Sequence, residues 1–315
     1  MNAKDLTGKI EEAYLVLRHC ELCERRCRVD RTAGETGICG MTDELKAARA
    51  ALHFWEEPFI SGDSGSGAVF FSWCCLKCFF CQNHDISTGG FGKKIALDRL
   101  ADIYIELQLK GASNINLITP THYIPQVMES IRRARSGEDT YNTKLVIPVV
   151  YNTSSYENRY YLSLLDDTVD IYLADLKYYS DGLSLKYSRA PHYFETAFGN
   201  IEEMVRQKPL SFNGAGMMRS GVVIRILLLP GALIDAKLVL KKAYERFGEN
   251  VWYSLMGQYT PIAETVFPEL NRKVSKAEYD SFIDFARQLN IGNCLMQTGG
   301  ADEKSFIPPF DLEGV

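Results

Sequence analysis

A parallel α/β barrel, full or partial, is the fold class the sequence predicts, and three observations carry it. From residue 66 onward, apolar runs rich in β-branched and aromatic residues alternate with amphipathic segments, the rhythm of repeated βα units. Most of these runs are continuous rather than alternating, as strands covered on both faces are. At 315 residues the chain is long enough for one such domain with an appendage. A doubly wound sheet is the other closure that the same rhythm allows.

Seven strands are expected, in order GAVFFSW, INLIT, KLVIPVVY, VDIYLADL, GVVIRILLL, VWYSLMG and NCLMQ. Helices are expected between them. In ALDRLADIYIELQLKG, Leu97, Leu100, Tyr104 and Leu107 share a face, Asp98 suits the first turn and Gly111 can end it. Others are expected near 122–135, 156–166, 195–207, 235–247 and 275–289. Residues 1–60 stand outside the alternation and are expected to form an amino-terminal cysteine-rich metal-binding module. The barrel is expected over 61–300, with a tail over 301–315.

Hydrophobic residues make up 46% and charged residues 24% of the chain, ordinary values for a folded domain. The net charge of -5 argues against a nucleic-acid partner, since binding a polyanion rests on clustered Lys and Arg. No run approaches the roughly 18 apolar residues that crossing a membrane requires, and MNAKDLTGKIEEAY lacks the apolar stretch of a signal peptide. A cytoplasmic location and no membrane partner are therefore expected. In that compartment clustered thiols hold metal or do redox work more often than they form disulfides. Eight of the nine cysteines fall before residue 82.

Two cysteine groups stand out. Cys74, Cys78 and Cys81 form CxxxCxxC directly after the first strand. Three thiolates on one short loop suit an iron-sulfur cluster with one iron left open, whereas a structural zinc site would close with a fourth ligand, for which Cys75 and His84 are the candidates. Cys75 also opens a second register, CxxCxxC, but the fourth Cys and Pro of a bacterial ferredoxin run do not follow. The other group is Cys20, Cys23, Cys27 and Cys39, whose four thiols suit zinc or a second iron-sulfur cluster. The spacings of three and four place the first three on one helical face.

A CxxxCxxC loop after the first strand of a βα barrel resembles the radical S-adenosylmethionine superfamily. The string CFFCQNHDIS is similar to the CxxCxN form of pyruvate formate-lyase (glycyl-radical-enzyme) activating enzymes. CELCERRCRVDRTAGETGICG, EEPFISGDSGSGAVFF, INLITPTHYIPQ, VYNTSSYE, VDIYLADLKY, LLLPG and LMGQY together resemble the PflX-type homologues of those activases over nearly the whole chain. Trp73 and Cys75 stand where such relatives usually carry Gly and Asn, and Ile226 where a His is common.

The resemblance implies an oxidoreductase in which Cys74, Cys78 and Cys81 hold a 4Fe-4S cluster. The open iron chelates S-adenosylmethionine, and reductive cleavage gives methionine and a 5′-deoxyadenosyl radical for hydrogen abstraction. It implies cofactor contacts at Phe80 and Asn83 and at Thr119 and Thr121. Asn152 and Thr153 would coordinate a monovalent cation, and Asp175, Lys177, Arg225 and Gln258 would complete a polar ring. No catalytic side chain is expected beyond these. Implied partners are a reductant such as flavodoxin or ferredoxin and a glycyl-radical protein as target. Two other functions fit the same residues: a radical enzyme modifying a small molecule or peptide, and a non-catalytic metal-binding scaffold.

Overall fold

The computed structural model describes residues 3–261, 264–297 and 308–315. Helix α1 (Ala3–Leu15) leads into the first cysteine group, which is followed by β1 (Lys46–His53), the short α2 (Pro58–Ser61) and β2 (Ser66–Phe71). Then come α3 (His84–Ser87), β3 (Lys93–Lys94), α4 (Leu97–Leu109), β4 (Ile115–Ile118), α5 (Ile124–Ser136) and β5 (Val149–Thr153). The chain continues through α6 (Arg159–Ser163), β6 (Ile171–Asp175), α7 (Asp181–Ser188), α8 (Tyr193–Gln207), β7 (Ser211–Phe212) and β8 (Met218–Leu227). It closes with α9 (Leu233–Phe247), β9 (Trp252–Met256), α10 (Lys276–Gln288) and β10 (Cys294–Met296).

The strands lie in the order β10-β9-β8-β6-β5-β4-β2-β1-β3, with β7 beside β8. All seven strands expected from sequence are present, and along the path from β2 to β10 every pairing is parallel, while the short β7 pairs antiparallel with β8. The path has two ends, so the partial form of the expected barrel is the one adopted. β1, from the stretch expected to be a separate module, pairs antiparallel with β2, and β3 pairs antiparallel with β1.

Strand alternation divides the sheet into two faces. On the face toward the helices, Tyr151, Tyr172, Ile224 and Leu255 pack with Ile201 of α8, Leu240 of α9 and Phe282 of α10, and Ile10 and Leu17 of the amino-terminal stretch enter the same core. The opposite, inner face is apolar toward its base, where Val150, Ile171, Leu173 and Val223 meet Ile60. Closer to the carboxyl ends of the strands that face turns polar. The register sets Asp175 beside Arg225 and Arg225 beside Ser254. Residues 308–315 return along β1: the Leu312 amide donates to the Ala48 carbonyl, the Ala50 amide donates to the Glu313 carbonyl, and Phe310 packs 5.6 Å from the Phe70 ring on the inner face.

Helix ends follow local chemistry. α10 opens on a capping box between Ser275 and Glu278, and α5 opens on Pro125 and stops at the left-handed Gly137.

Candidate metal and cofactor site

The cysteine loop leaves the carboxyl end of β2 through two left-handed residues, Trp73 (φ 70°) and Lys77 (φ 49°). Such backbone costs about 1–3 kcal/mol per residue and persists where the surroundings over-determine it. Here the Lys77 ammonium lies 4.6 Å above the Trp73 ring, and that ring rests on the backbone of Gly40 and Gly90. A Cβ at Gly90 would sit 2.2 Å from Trp73 Cζ2, at a residue already left-handed with φ +65°. Gly90→Ala should therefore cost about 1–3 kcal/mol in denaturant unfolding, and Trp73→Ala in the same chain should recover part of that loss.

Each thiol of the loop meets hydrogen-bond donors. Cys74 sulfur accepts the Leu76 amide at 3.3 Å, Cys78 sulfur accepts the Ser188 hydroxyl of α7 at 3.0 Å, and the Asn83 amide is directed at Cys81. Cys75 turns the other way, into the core that holds Phe71, Tyr123, Cys23 and Cys39. Its single thiol proton is shared between the sulfurs of Cys23 and Cys74, which draws Cys74 down to about 6 while Cys75 is held well above the usual thiol range. Burial, with Cys81 and Cys74 adding to it, pushes Cys78 up to about 12. Of the two candidates for a fourth ligand of the loop, His84 is exposed at the start of α3, while Cys75 lies beside Cys74. Among the described residues no three Cys, His, Asp or Glu side chains converge at the spacing of a single metal ion.

Lys177 reaches this loop from the end of β6. Its buried ammonium lies within electrostatic reach of Cys74, Cys78 and Cys81 and is ion-paired with Asp175. Burial disfavours the ammonium, and Asp175 with the sulfurs more than offsets this. The segment that carries Lys177 is pinned by Asp235 of α9, whose carboxylate accepts the Tyr179 and Ser180 amides at 2.9 and 2.8 Å. Asp235→Ala leaves those two donors unpaired and should cost about 1–3 kcal/mol, read in chemical denaturation.

The other expected site residues are distributed as follows. Phe80 meets Tyr178 and Tyr259 edge-on at 6.4 and 6.3 Å. Thr119 is left-handed (φ 60°), an unusual state for a β-branched residue, and its amide donates to the Asn152 carbonyl at 2.9 Å. Thr121 and Thr153 both donate to Glu157 Oε1, at 2.7 Å from Thr121, and Tyr151 donates to the same oxygen at 3.4 Å. Glu157 is fully buried, its other oxygen has no partner among the described residues, and burial raises its carboxyl. Alternation thus separates the expected Asn152–Thr153 pair: Thr153 turns to Glu157 while Asn152 shares the inner face with Leu173. Gln258 accepts the Gln82 side-chain amide on its carbonyl at 3.2 Å.

Arg225 has protein partners. Its guanidinium pairs with Glu56 and with Glu57, at 2.8 Å from Nε to Glu57 Oε1, and Asn116 donates to Glu56 at 2.7 Å. The three side chains are 12%, 8% and 5% exposed, so the cation is already neutralised within the fold.

The amino-terminal cysteines are not on a helix, contrary to the face expected from their spacing. Left-handed Arg26 and Arg28 turn the chain back, so that the Cys20 amide donates to the Val29 carbonyl and the Arg28 amide to the Cys20 carbonyl, at 3.0 and 2.9 Å. From this hairpin Arg25 reaches the other cysteine loop. It donates to the carbonyls of Cys75 (3.0 Å), Leu76 (3.4 Å), Ser188 (2.9 Å) and Arg189, and covers the Tyr156 ring at 5.4 Å. Arg25, Ser188, Glu157 and the Glu56–Glu57 pair are site residues that sequence reasoning missed. Only the charge around the cysteines hinted at Arg25.

No family model matches the chain. It is 26% identical over 293 residues to an uncharacterised protein of Methanocaldococcus jannaschii, covering 90% of this chain and 78% of that one. Among solved structures, a radical S-adenosylmethionine methyltransferase from Sphaerobacter thermophilus superposes with a TM-score of 0.50 at 14% identity, over 75% of this chain and 68% of that one. SuiB of Streptococcus suis bound to S-adenosylmethionine gives 0.46 at 11% identity, over 69% of this chain. The chain spans only 42% of the length of SuiB. The methyltransferase likeness is one of fold: a mostly parallel sheet with a cysteine-bearing loop at the carboxyl end of its first parallel strand here.

Proposed function

We propose that the chain is a radical S-adenosylmethionine enzyme, and that it works as a glycyl-radical-enzyme activating protein. One observation carries the first part: at the carboxyl end of β2, three cysteine sulfurs share one loop, each served by a hydrogen-bond donor, with the Lys177 ammonium among them. Soft donors with compensating positive charge suit an iron-sulfur cluster. Bound there, a 4Fe-4S cluster would supply one-electron reduction for cleavage of S-adenosylmethionine. Cys74, Cys78 and Cys81 would hold it. Phe80, Asn152 and Gln258 offer an aromatic face and polar groups for the cofactor, and the apolar inner wall beneath them excludes water. Arg225, already neutralised, would shape the cavity rather than bind a carboxylate.

The CxxCxN run at Cys78–Asn83 and the short barrel favour the activating role. A reductant such as flavodoxin or ferredoxin would supply the electron. The test is anaerobic reduction of reconstituted protein with S-adenosylmethionine. Formation of 5′-deoxyadenosine supports the enzyme; its absence returns the chain to the scaffold reading. A glycyl doublet in electron spin resonance of a co-incubated glycyl-radical protein supports the activating role. Deuterium transfer into a small compound or peptide without that doublet overturns it.

A further inference from the structure

The hairpin of the first cysteine group holds a buried cation with no carboxylate beside it. Arg31 is completely buried. Its guanidinium donates to the Thr42 carbonyl at 2.9 and 2.6 Å and to the His122 carbonyl at 2.7 Å, and lies 3.9 Å from the Cys20 sulfur. Among the described residues no carboxylate lies within ion-pair distance of it. Arginine cannot shed its proton to escape the cost of burial. Beyond those carbonyl oxygens, the groups near it that can carry negative charge are sulfur: Cys20 at 3.9 Å and Cys39 within its field.

The backbone around these thiols is arranged for the same purpose. The Ile38 amide points at the Cys27 sulfur at 3.4 Å, the Arg25 amide at Cys23 and the Met41 amide at Cys39. An amide two residues on also serves Cys74 and Cys81 in the other loop, so both groups share one local design. A neutral thiol is a weak acceptor, whereas a thiolate is a strong one. Gly37 belongs to this design: a Cβ there would sit 2.7 Å from the Cys27 sulfur, so only glycine lets the backbone close over it.

We propose that Cys20, Cys23, Cys27 and Cys39 hold a second metal–thiolate centre of net negative charge, with the Arg31 guanidinium as its counter-ion. No three of these side chains stand at the spacing of a single ion, so the wider four-iron cluster is the centre that suits them, and four thiolates around it leave the net negative charge that Arg31 lacks elsewhere. The centre is independent of the reading given to Cys74, Cys78 and Cys81, although Cys75, which touches Cys23 and Cys74, puts the two sulfur groups in contact.

The decisive protein is the full chain with Cys74, Cys78 and Cys81 all changed to Ala, purified without oxygen after expression with iron and zinc supplied. It should retain about four irons with acid-labile sulfide per chain, and zinc without iron overturns the cluster. Adding Cys27→Ser, at the half-exposed member of the four, should lower that content at least about tenfold, and Arg31→Met should speed loss of metal to a chelator at least about tenfold relative to Arg31→Lys. A triple variant that is folded by circular dichroism yet holds less than about a tenth of an equivalent of either metal overturns the proposal. Should the triple variant not fold, the unaltered protein decides. Metal in excess of one four-iron cluster supports a second centre, and a total of four irons that Cys27→Ser leaves unchanged overturns it. If the loop holds no cluster at all, the triple variant and the unaltered protein contain the same metal, which separates failure of the proposed function from failure of this site.

Discussion

Cys78→Ala should remove 5′-deoxyadenosine formation from reduced protein while leaving the chain folded. Cys78 is buried against Tyr178, Tyr187 and Leu76 and receives the Ser188 hydroxyl. Alanine keeps the Cβ in that core and deletes one sulfur, a change worth about 1–2 kcal/mol of stability. As a cluster ligand the same sulfur is irreplaceable, because the two thiols that remain on the loop cannot hold a cubane. The expected loss of turnover exceeds the roughly hundredfold that groups supporting a ligand usually reach. Ser188→Ala removes only the supporting hydroxyl, so its loss should fall at or below that figure. Product formed by Cys78→Ala at the level of the unaltered protein would contradict the ligand set.

Arg225→Met should be the most damaging single change to stability outside the sulfur sites. It strands Glu56 and Glu57, both nearly inaccessible to solvent, without their cation. Removing one partner of a buried ionic group typically costs about 3–5 kcal/mol, since the remaining charge stays desolvated. The pH dependence has a definite sign. Burial pushes the Glu57 carboxyl up and Arg225 pulls it down, and the cation prevails. A carboxyl depressed by folding contributes stability above its unfolded value and gives it up as the pH falls. The deficit of Arg225→Met should therefore be largest at neutral pH and shrink on acidification toward about pH 4, as the orphaned carboxyls take up protons. Combining it with Glu56→Gln and Glu57→Gln should recover most of the loss at neutral pH. Urea unfolding at several pH values measures all of this.

The parallel strands were legible because burial on both faces writes itself as an unbroken apolar run, as in VVIRILLL and VDIYLAD. β1 was not. Its sequence KAARAALH is alanine-rich, favours a helix in isolation, and becomes a strand because it pairs with β2 and with the returning residues 312–313. The helical face expected of Cys20, Cys23 and Cys27 failed at Arg26 and Arg28, whose left-handed backbone nothing in their chemistry announces. Cysteine spacing marked out both sulfur groups as candidates. The partners of charged residues stayed hidden, because they come from far along the chain: Glu56 and Glu57 for Arg225, and Glu157 for Thr121. The Asn152–Thr153 pair shows that two adjacent polar residues at a strand end are bound by alternation to opposite faces unless the strand has already ended.

Arg25 joins segments that leave the ribosome at very different times. Its contacts at Cys75 and Leu76 wait for residues fifty positions downstream, and those at Ser188 and Arg189 wait for more than a hundred beyond that. During synthesis the hairpin and the CxxxCxxC loop are therefore both made before the clamp can shut. Only once residue 189 is in place can one guanidinium tie the hairpin, the loop and the end of α7 together, so the relative placement of the two cysteine segments is fixed late in folding.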